Sequence, residues 1–296
     1  MSGTILRNRY SVALKAPGGR RAQCFLQGGT GWDACDSIDD WLSSVLLCCQ
    51  WGDGCVLYND EPPPTSPSCS SGNNGSGGHC KGVLVWNGDA VGWLIHSVPK
   101  WPPSTFPSSL AHIAPGECIY GQSFVWLTLP RDRLDDIKTQ LVLMQASVYH
   151  ATPEPWRDMP RHATQMTINT ITLSLSPGGG LLHMAKHAKW NRDLFEDAIV
   201  PVSGPCLTET WSRPGQPATA HVGRITRVCW DNDAVAYNSC DDHSKWAVSL
   251  DSPWTYIGDI NAMASQFHRG GGGALIRDPA LWAAMRSLVA DYTPLE

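Results

Sequence analysis

The chain has 296 residues, with 22 Lys and Arg against 27 Asp and Glu, and a formal net charge of −5 while its ten histidines are neutral. That length leaves room for two cores of about 150 residues each. No stretch approaches eighteen consecutive apolar residues, which excludes a transmembrane helix, and the acidic balance is unusual for a nucleic-acid binder, which needs a positive footprint.

Residues 10–15 read as a first strand. The turn-rich GGTGWDACDS leads into a helix over roughly 37–48, capped by Asp36 or Ser37. VLYND is a strand. Residues 61–78, EPPPTSPSCSSGNNGSGG, are a linker made almost wholly of Pro, Ser, Gly and Asn, with a glycosylation sequon at Asn74-Gly75-Ser76. After KWPPSTFPSS, an extended proline segment, QSFVWLTL is a strand and RDRLDDIKTQLVLMQA is helical. A boundary between halves then falls at 135–150, giving domains 1–140 and 141–296. TINTITLSL is a strand followed by a glycine turn at 178–180. LLHMAKHAKWNRDLFEDAIV has helical periodicity. The chain closes with a helix from about Pro279 to Ala290, with Asp278 as N-cap and proline at the first helical position. The fold class is mixed α/β.

Two stretches repeat one pattern. His79-Cys80-Lys81 runs into GVLV and, about fifteen residues on, into WLIHS. His243-Ser244-Lys245 runs into WAV and then WTYIGDIN. Side chains at i and i+2 of a strand share a face, so each histidine projects with its lysine and Cys80 points away. Seven lysines and ten histidines give about 0.2 chance occurrences of His-x-Lys, and the sequence holds three. The third, His187-Ala188-Lys189, lies in the helical segment, lacks the following strand pair, and reads as a solvated face.

Two such pairs, one per half, suit phosphodiester hydrolysis at a shared site. Two lysines hold the non-bridging oxygens and offset transition-state charge. One imidazole attacks phosphorus and the other protonates the leaving oxygen. No metal and no cofactor is required. The serine-hydrolase elbow Gly-x-Ser-x-Gly is missing. Arg269, followed by four glycines, offers either a phosphate cradle of backbone amides or a turn. Asp241 and Asp242 either orient His243 or cap a turn. Eleven cysteines, eight of them in the first 120 residues and none in a Cys-x-x-Cys pair, leave disulfides and buried thiols both open. Charging of the histidines near pH 5 makes the protein more cationic, so affinity for a polyanion is expected to rise as pH falls.

SVALKAP, VLYNDEPPP, GHCKGVLVWN, GWLIHSVPKWPP, YGQSFVWLTLP, AKHAKWNRDLF, DDHSKWAVS, PWTYIGDIN, the RGGGG run and ALWAAMRSLVADYTP occur in order from about residue 11 to the C-terminus. In these segments the chain resembles deoxyribonuclease II, the acid endonuclease family within the phospholipase D-like superfamily. The resemblance implies two phospholipase D-like halves, each a central β-sheet flanked by helices, forming a pseudo-twofold single-chain unit. It implies metal-independent cleavage of double-stranded DNA at acid pH with 3′-phosphate ends. Carried onto this chain, the catalytic set is His79, Lys81, His243 and Lys245, with His79 as nucleophile and His243 as general acid by superfamily analogy. His96, Asn261, Asp259 and Arg269 are the supporting, phosphate-binding set. Ala247 and Tyr256 stand where animal members carry cysteines, which fits loss of a disulfide. The family suggests a lysosomal or extracellular acidic compartment, while Met1-Ser2-Gly3 opens no visible secretory signal and leaves localisation unknown. A homodimer is an open expectation. The rival readings are another phospholipase D-type phosphodiesterase and a DNA-binding module that has lost catalysis.

Overall fold

The computed structural model describes residues 10–46, 52–64, 77–103, 112–153, 167–173, 180–211, 218–230 and 234–296. The sequon at Asn74, most of the Pro/Ser/Gly linker, and the glycine turn at 178 and 179 lie outside the described residues. Among the described residues, no helix is long and apolar enough to cross a membrane.

The first sheet contains β1 (Tyr10–Lys15), β2 (Ala22–Leu26), β3 (Asp33–Cys35), β4 (Gly54–Asn59), β5 (Lys81–Trp86), β6 (Ala90–His96), β7 (Gln122–Pro130) and β8 (Val148–Thr152). Their spatial order is β3-β2-β1-β7-β6-β5-β4-β8, and neighbouring strands run antiparallel. The second sheet contains β9 (Ile168–Thr172), β10 (Gly180–Lys186), β11 (Cys206–Thr210), β12 (Val222–Trp230), β13 (Val235–Asn238), β14 (Lys245–Ser249), β15 (Trp254–Gly258), β16 (Gly271–Arg277) and β17 (Val289–Thr293). Its order is β13-β12-β11-β14-β15-β16-β10-β9, with β17 on β12. The run β4-β5-β6-β7-β1-β2 thus recurs as β11-β14-β15-β16-β10-β9. The molecule is mixed α/β, with two sheets and few helices.

A central core joins both sheets. Val12, Leu84 and Trp93 of the first sheet share it with Leu207, Trp246 and Ile276 of the second. Two helices contribute to this layer: α2 (Leu134–Leu143) through Ile137 and Leu141, and α4 (Pro279–Arg286) through Leu281 and Met285. Burying each such side chain contributes about 1.5–3 kcal/mol. The opposite face of the first sheet packs on α1 (Ile38–Leu46) through Ile38, Trp41 and Leu42. The opposite face of the second sheet packs on Leu194, Phe195 and Ile199, which lead into the short α3 (Val200–Ser203). Asp278 caps α4 by accepting from the amides of Ala280 and Leu281, and its other oxygen accepts from the Tyr10 hydroxyl at 2.5 Å. That contact ties the first strand to the last helix.

The segment 181–200 departs from its helical periodicity. Residues 180–186 form β10, held between β9 and β16, and both faces of it are covered. A strand buried on two faces needs apolar residues at successive positions, and LLHMA supplies them without alternation. Apart from one tight helical turn at Ala188–Trp190, helical structure begins only at Leu194. His187 is therefore not on a helix: it caps the short turn Ala188–Trp190, with its Nδ1 accepting from the Lys189 amide, while Lys189 is exposed. The last helix stops at Arg286, and residues 289–293 pair with β12 instead. A disulfide links Cys24 and Cys35 across β2 and β3, whereas Cys80, Cys118 and Cys206 are buried thiols. Ala247 and Tyr256 are direct cross-strand partners, so cysteines at those positions would face each other.

Candidate active site

Both His-x-Lys lysines open a strand. Lys81 is the first residue of β5 and Lys245 the first of β14, and each histidine stands two residues earlier, just outside the sheet. The histidines are locked by reciprocal backbone bonds between the two halves. The His79 amide donates to the Gly270 carbonyl, which immediately precedes β16, at 2.7 Å. The His243 amide donates to the Gly121 carbonyl, which immediately precedes β7, at 2.9 Å. Each histidine is thus positioned by the opposite sheet, and the two motifs meet where the sheets join.

His79 Nδ1 lies 2.6 Å from the carbonyl oxygen of Asp259. A carbonyl only accepts, so Nδ1 carries the proton and Nε2 keeps its lone pair. Burial first, then Lys81, lowers the His79 pKa to about 3. Burial, then Lys245 and Lys81, lowers that of His243 to about 4. Lys245 also acts on His79, so each lysine charge reaches the opposite histidine. Lys245, buried and facing Lys81, is lowered to about 7, and its ammonium donates to the His243 carbonyl. The result is two cations and two neutral imidazoles converging from two sheets.

Asp60, which follows β4, joins this candidate site through its ion pairs, and the sequence pattern did not reveal it. Its carboxylate bridges Lys81 and Arg269, with the Arg269 contact at 3.2 Å. Burial opposes its ionisation, yet Lys81, His79 and Arg269 hold it well below the usual carboxylate range. Arg269 also donates to the carbonyls of Gly77 and Gly78, 3.2 and 3.1 Å away. The glycines after it are strand residues more than an open amide cradle. Gly271–Gly273 begin β16, and the Gly272 amide is spent on Asp259 Oδ1 at 2.8 Å. A Cβ on Gly272 would lie 2.1 Å from the Met184 carbonyl, so close packing of β10 demands glycine there.

His96 ends β6 and is buried. Gly82 pairs with Ile95, which puts His96 next to Lys81 across the strand pair. Its Nδ1 accepts from the Val98 amide, so Nε2 carries the hydrogen, and that nitrogen has no partner among the described residues. Burial, then Lys81, keeps His96 neutral, with its pKa well below the ordinary value. Asn261 is buried, and its Oδ1 has no partner among the described residues. Burial raises the Asp259 carboxyl to about 8, so it is largely protonated in acid. Asp242 serves as a turn cap: it accepts from the Ser244 amide and hydroxyl and does not bond the His243 ring.

The comparisons fit this arrangement. Residues 52–295 match the model of the deoxyribonuclease II family. The chain belongs to the deoxyribonuclease II family. It is 31% identical to deoxyribonuclease-2-alpha of Sus scrofa over 273 residues, covering 81% of this chain and 70% of that protein. It is 33% identical to deoxyribonuclease-2-alpha of Bos taurus over 260 residues, with the same coverage. A putative deoxyribonuclease-2 of Burkholderia pseudomallei (strain K96243) is 29% identical over 254 residues, covering 78% of this chain and 70% of that protein. Membership makes this protein a deoxyribonuclease II-like nuclease, with DNA as its implied substrate.

Two buried lysines hold the loops on which this family member's histidines rest. Lys15, at the end of β1, donates to the carbonyls of Ala16, Gly19 and Cys118. Lys186, at the end of the matching strand β10, donates to those of Gln266, Phe267 and Arg269. Cys118 lies three residues before Gly121, and Arg269 directly before Gly270. Each ammonium therefore fastens the loop whose glycine carbonyl receives a histidine amide. The only hint in the sequence is that both lysines end apolar strand runs.

Proposed function

We propose that the chain is an acid endonuclease that hydrolyses DNA without a divalent metal, through a phosphohistidine, leaving 3′-phosphate and 5′-hydroxyl ends with low sequence preference. The supporting observation is the Nδ1–H of His79 donating to the Asp259 carbonyl, which leaves Nε2 as a neutral nucleophile. In the first step Nε2 of His79 attacks phosphorus. The P–N bond forms, the P–O5′ bond breaks, and the leaving oxygen takes a proton from the His243 imidazolium. In the second step neutral His243 takes a proton from water. The water oxygen bonds to phosphorus, the P–N bond breaks, and the 3′-phosphate leaves with His79 neutral again. Lys81 and Lys245 hold the non-bridging oxygens and supply positive charge where negative charge accumulates. His96 and Asn261, polar and buried beside them, complete the phosphate pocket in this reading, with Arg269 holding Asp60 against Lys81 and Asp259 orienting His79.

The recurring strand order supports a reading as two phospholipase D-like halves, whereas the boundary between 1–140 and 141–296 is crossed by β8, which completes the edge of the first sheet. Both histidine–lysine pairs come from one chain, so the mechanism needs no second copy. Backbone recognition by lysines accounts for low sequence preference. The test is to quench a turnover of 32P-labelled oligonucleotide in alkali and map the label by peptide sequencing. Phosphate on His79 supports the assignment, and phosphate on His243 but not His79 reverses it.

A further inference from the structure

The two halves differ at two matched positions, and the difference gives the two histidines different surroundings. Asn59 pairs with Lys81 and Thr210 pairs with Lys245, so Asp60 and Trp211 are corresponding residues, each one step past its strand. Gly270 and Gly121 each accept an amide from the opposite histidine, so Arg269 and Tyr120 correspond as well. Around His79 these positions hold an ion pair, Asp60 with Arg269. Around His243 they hold two aromatic rings. Tyr120 stacks on the His243 imidazole with centroids 3.9 Å apart and planes 6° apart, and Trp211 meets it edge-on at 5.6 Å.

Those rings are not closed off. Tyr120 is 37% exposed and Trp211 38%, and Ile119 beside Tyr120 is 58% exposed. Among the described residues six large hydrophobic side chains are exposed, and three of them are this group. Two of these three, Tyr120 and Trp211, contact the His243 ring while remaining partly exposed. Aromatic rings exposed beside a phosphate site are suited to the flat face of a base, and such stacking tolerates any base.

Resting on the nuclease reading above, we propose that Tyr120 and Trp211 form a stacking platform for the unstacked base of the leaving nucleotide, the one that departs with the 5′-hydroxyl. His243 protonates that leaving oxygen, so the nucleotide it belongs to lies on the aromatic side of the site. The side around His79 faces the nucleotide that keeps the phosphate, and its matched positions hold the Asp60–Arg269 ion pair in place of rings. A base inside a duplex has no free face. The platform therefore requires the leaving-side base of a double-stranded substrate to unstack as the scissile phosphate enters the site.

The test uses a short single strand in which every linkage but one is a methylphosphonate, leaving one cleavable phosphodiester. Four substrates carry either a base or an abasic tetrahydrofuran on the leaving side or on the retained side. The full-length wild-type protein should lose about tenfold or more in kcat/KM when the leaving-side base is removed, and little when the retained-side base is removed. In Trp211→Ala and Tyr120→Ala that penalty should shrink towards onefold, while Trp211→Phe and Tyr120→Phe should keep most of it. Equal cleavage of base-bearing and abasic substrates by the wild type overturns the platform and leaves the nuclease reading intact. So does a penalty that persists unchanged in the alanine variants, which would make the rings supports for His243 only. A wild-type protein that cleaves none of the four overturns both.

Discussion

His79 and Asp259 are joined across the two sheets by one hydrogen bond, Nδ1 to backbone oxygen at 2.6 Å. Because the acceptor is a carbonyl, this bond selects the tautomer and aims Nε2 without placing a charge on the ring. Among the described residues no such bond reaches the His243 ring, which has aromatic neighbours instead. The two histidines repeat one motif in unlike settings, and their proposed roles follow from the settings.

Separate roles predict separate dependence on the leaving group. A nitrophenolate leaves without a proton, whereas a deoxyribose 5′-oxygen needs one. His243→Ala should lose about 10²–10⁴-fold in kcat/KM on DNA and far less on a thymidine 3′-nitrophenyl phosphodiester. His79→Ala should lose activity on both. Equal losses for His243→Ala on the two substrates contradict the general-acid role.

The pH profiles follow from the lowered histidines. In the free protein His79 must stay neutral, which fails below about 3, and His243 must be protonated, which fails above about 4. The alkaline limb of kcat/KM should therefore fall about tenfold per pH unit above 5. A bound phosphate offsets Lys81 and Lys245, the cations that depress His243. Its pKa then rises, and the alkaline limb of kcat should lie at higher pH than that of kcat/KM. Coincident limbs in a full kinetic pH series would contradict this coupling. The burial of histidines also limits the acid charging expected from composition. His79, His96, His183 and His243 remain largely neutral at pH 5, so at most six of the ten contribute to DNA attraction there.

Asp60 is the counterion of a buried lysine, and its removal strands that charge. Asp60→Asn should cost about 3–5 kcal/mol of stability and at least tenfold in activity. Its carboxyl is held below the unfolded value of about 4, so its contribution is fully present above that pH and is lost only as pH falls through the lowered folded value. The melting-temperature gap between wild type and Asp60→Asn should thus be as large at pH 5 as at pH 7. A gap that closes by pH 5 would show that the pair is not ionised where the enzyme is expected to work.

Much of the candidate site was legible in the sequence and some was not, for a physical reason. The lysines at 81 and 245 and the histidines before them stood out because each motif is local and is followed by its own strand pair. Asp60, Tyr120 and Trp211 did not, because each meets its partner through the chain's topology: Asp60 reaches Arg269 across 209 residues. The strand at 180–186 was misread for a related reason. A strand covered on both faces loses the alternation that distinguishes it from a helix.

Lys15 and Lys186 are likewise invisible as a pair until the sheets are seen. Each places an ammonium among three carbonyls, a geometry that a planar guanidinium does not fit. Lys186→Met should loosen the loop that fixes His79 and lower kcat by about 10–100-fold with KM changed little, and Lys15→Met should do the same through His243. Arginine at either position should not rescue. A pure loss of stability, with normal kcat in the folded fraction, would restrict these lysines to folding.

The central claim is metal-free, histidine-dependent DNA cleavage in acid, and plasmid nicking in EDTA at pH 5 and pH 7.5 tests it most directly, on wild type and His243→Ala. The account predicts nicking by the wild type at pH 5 that survives EDTA, weakens at pH 7.5 and disappears in the variant. No nicking by folded wild type at either pH, or nicking at pH 5 that EDTA abolishes or that His243→Ala retains, would contradict it.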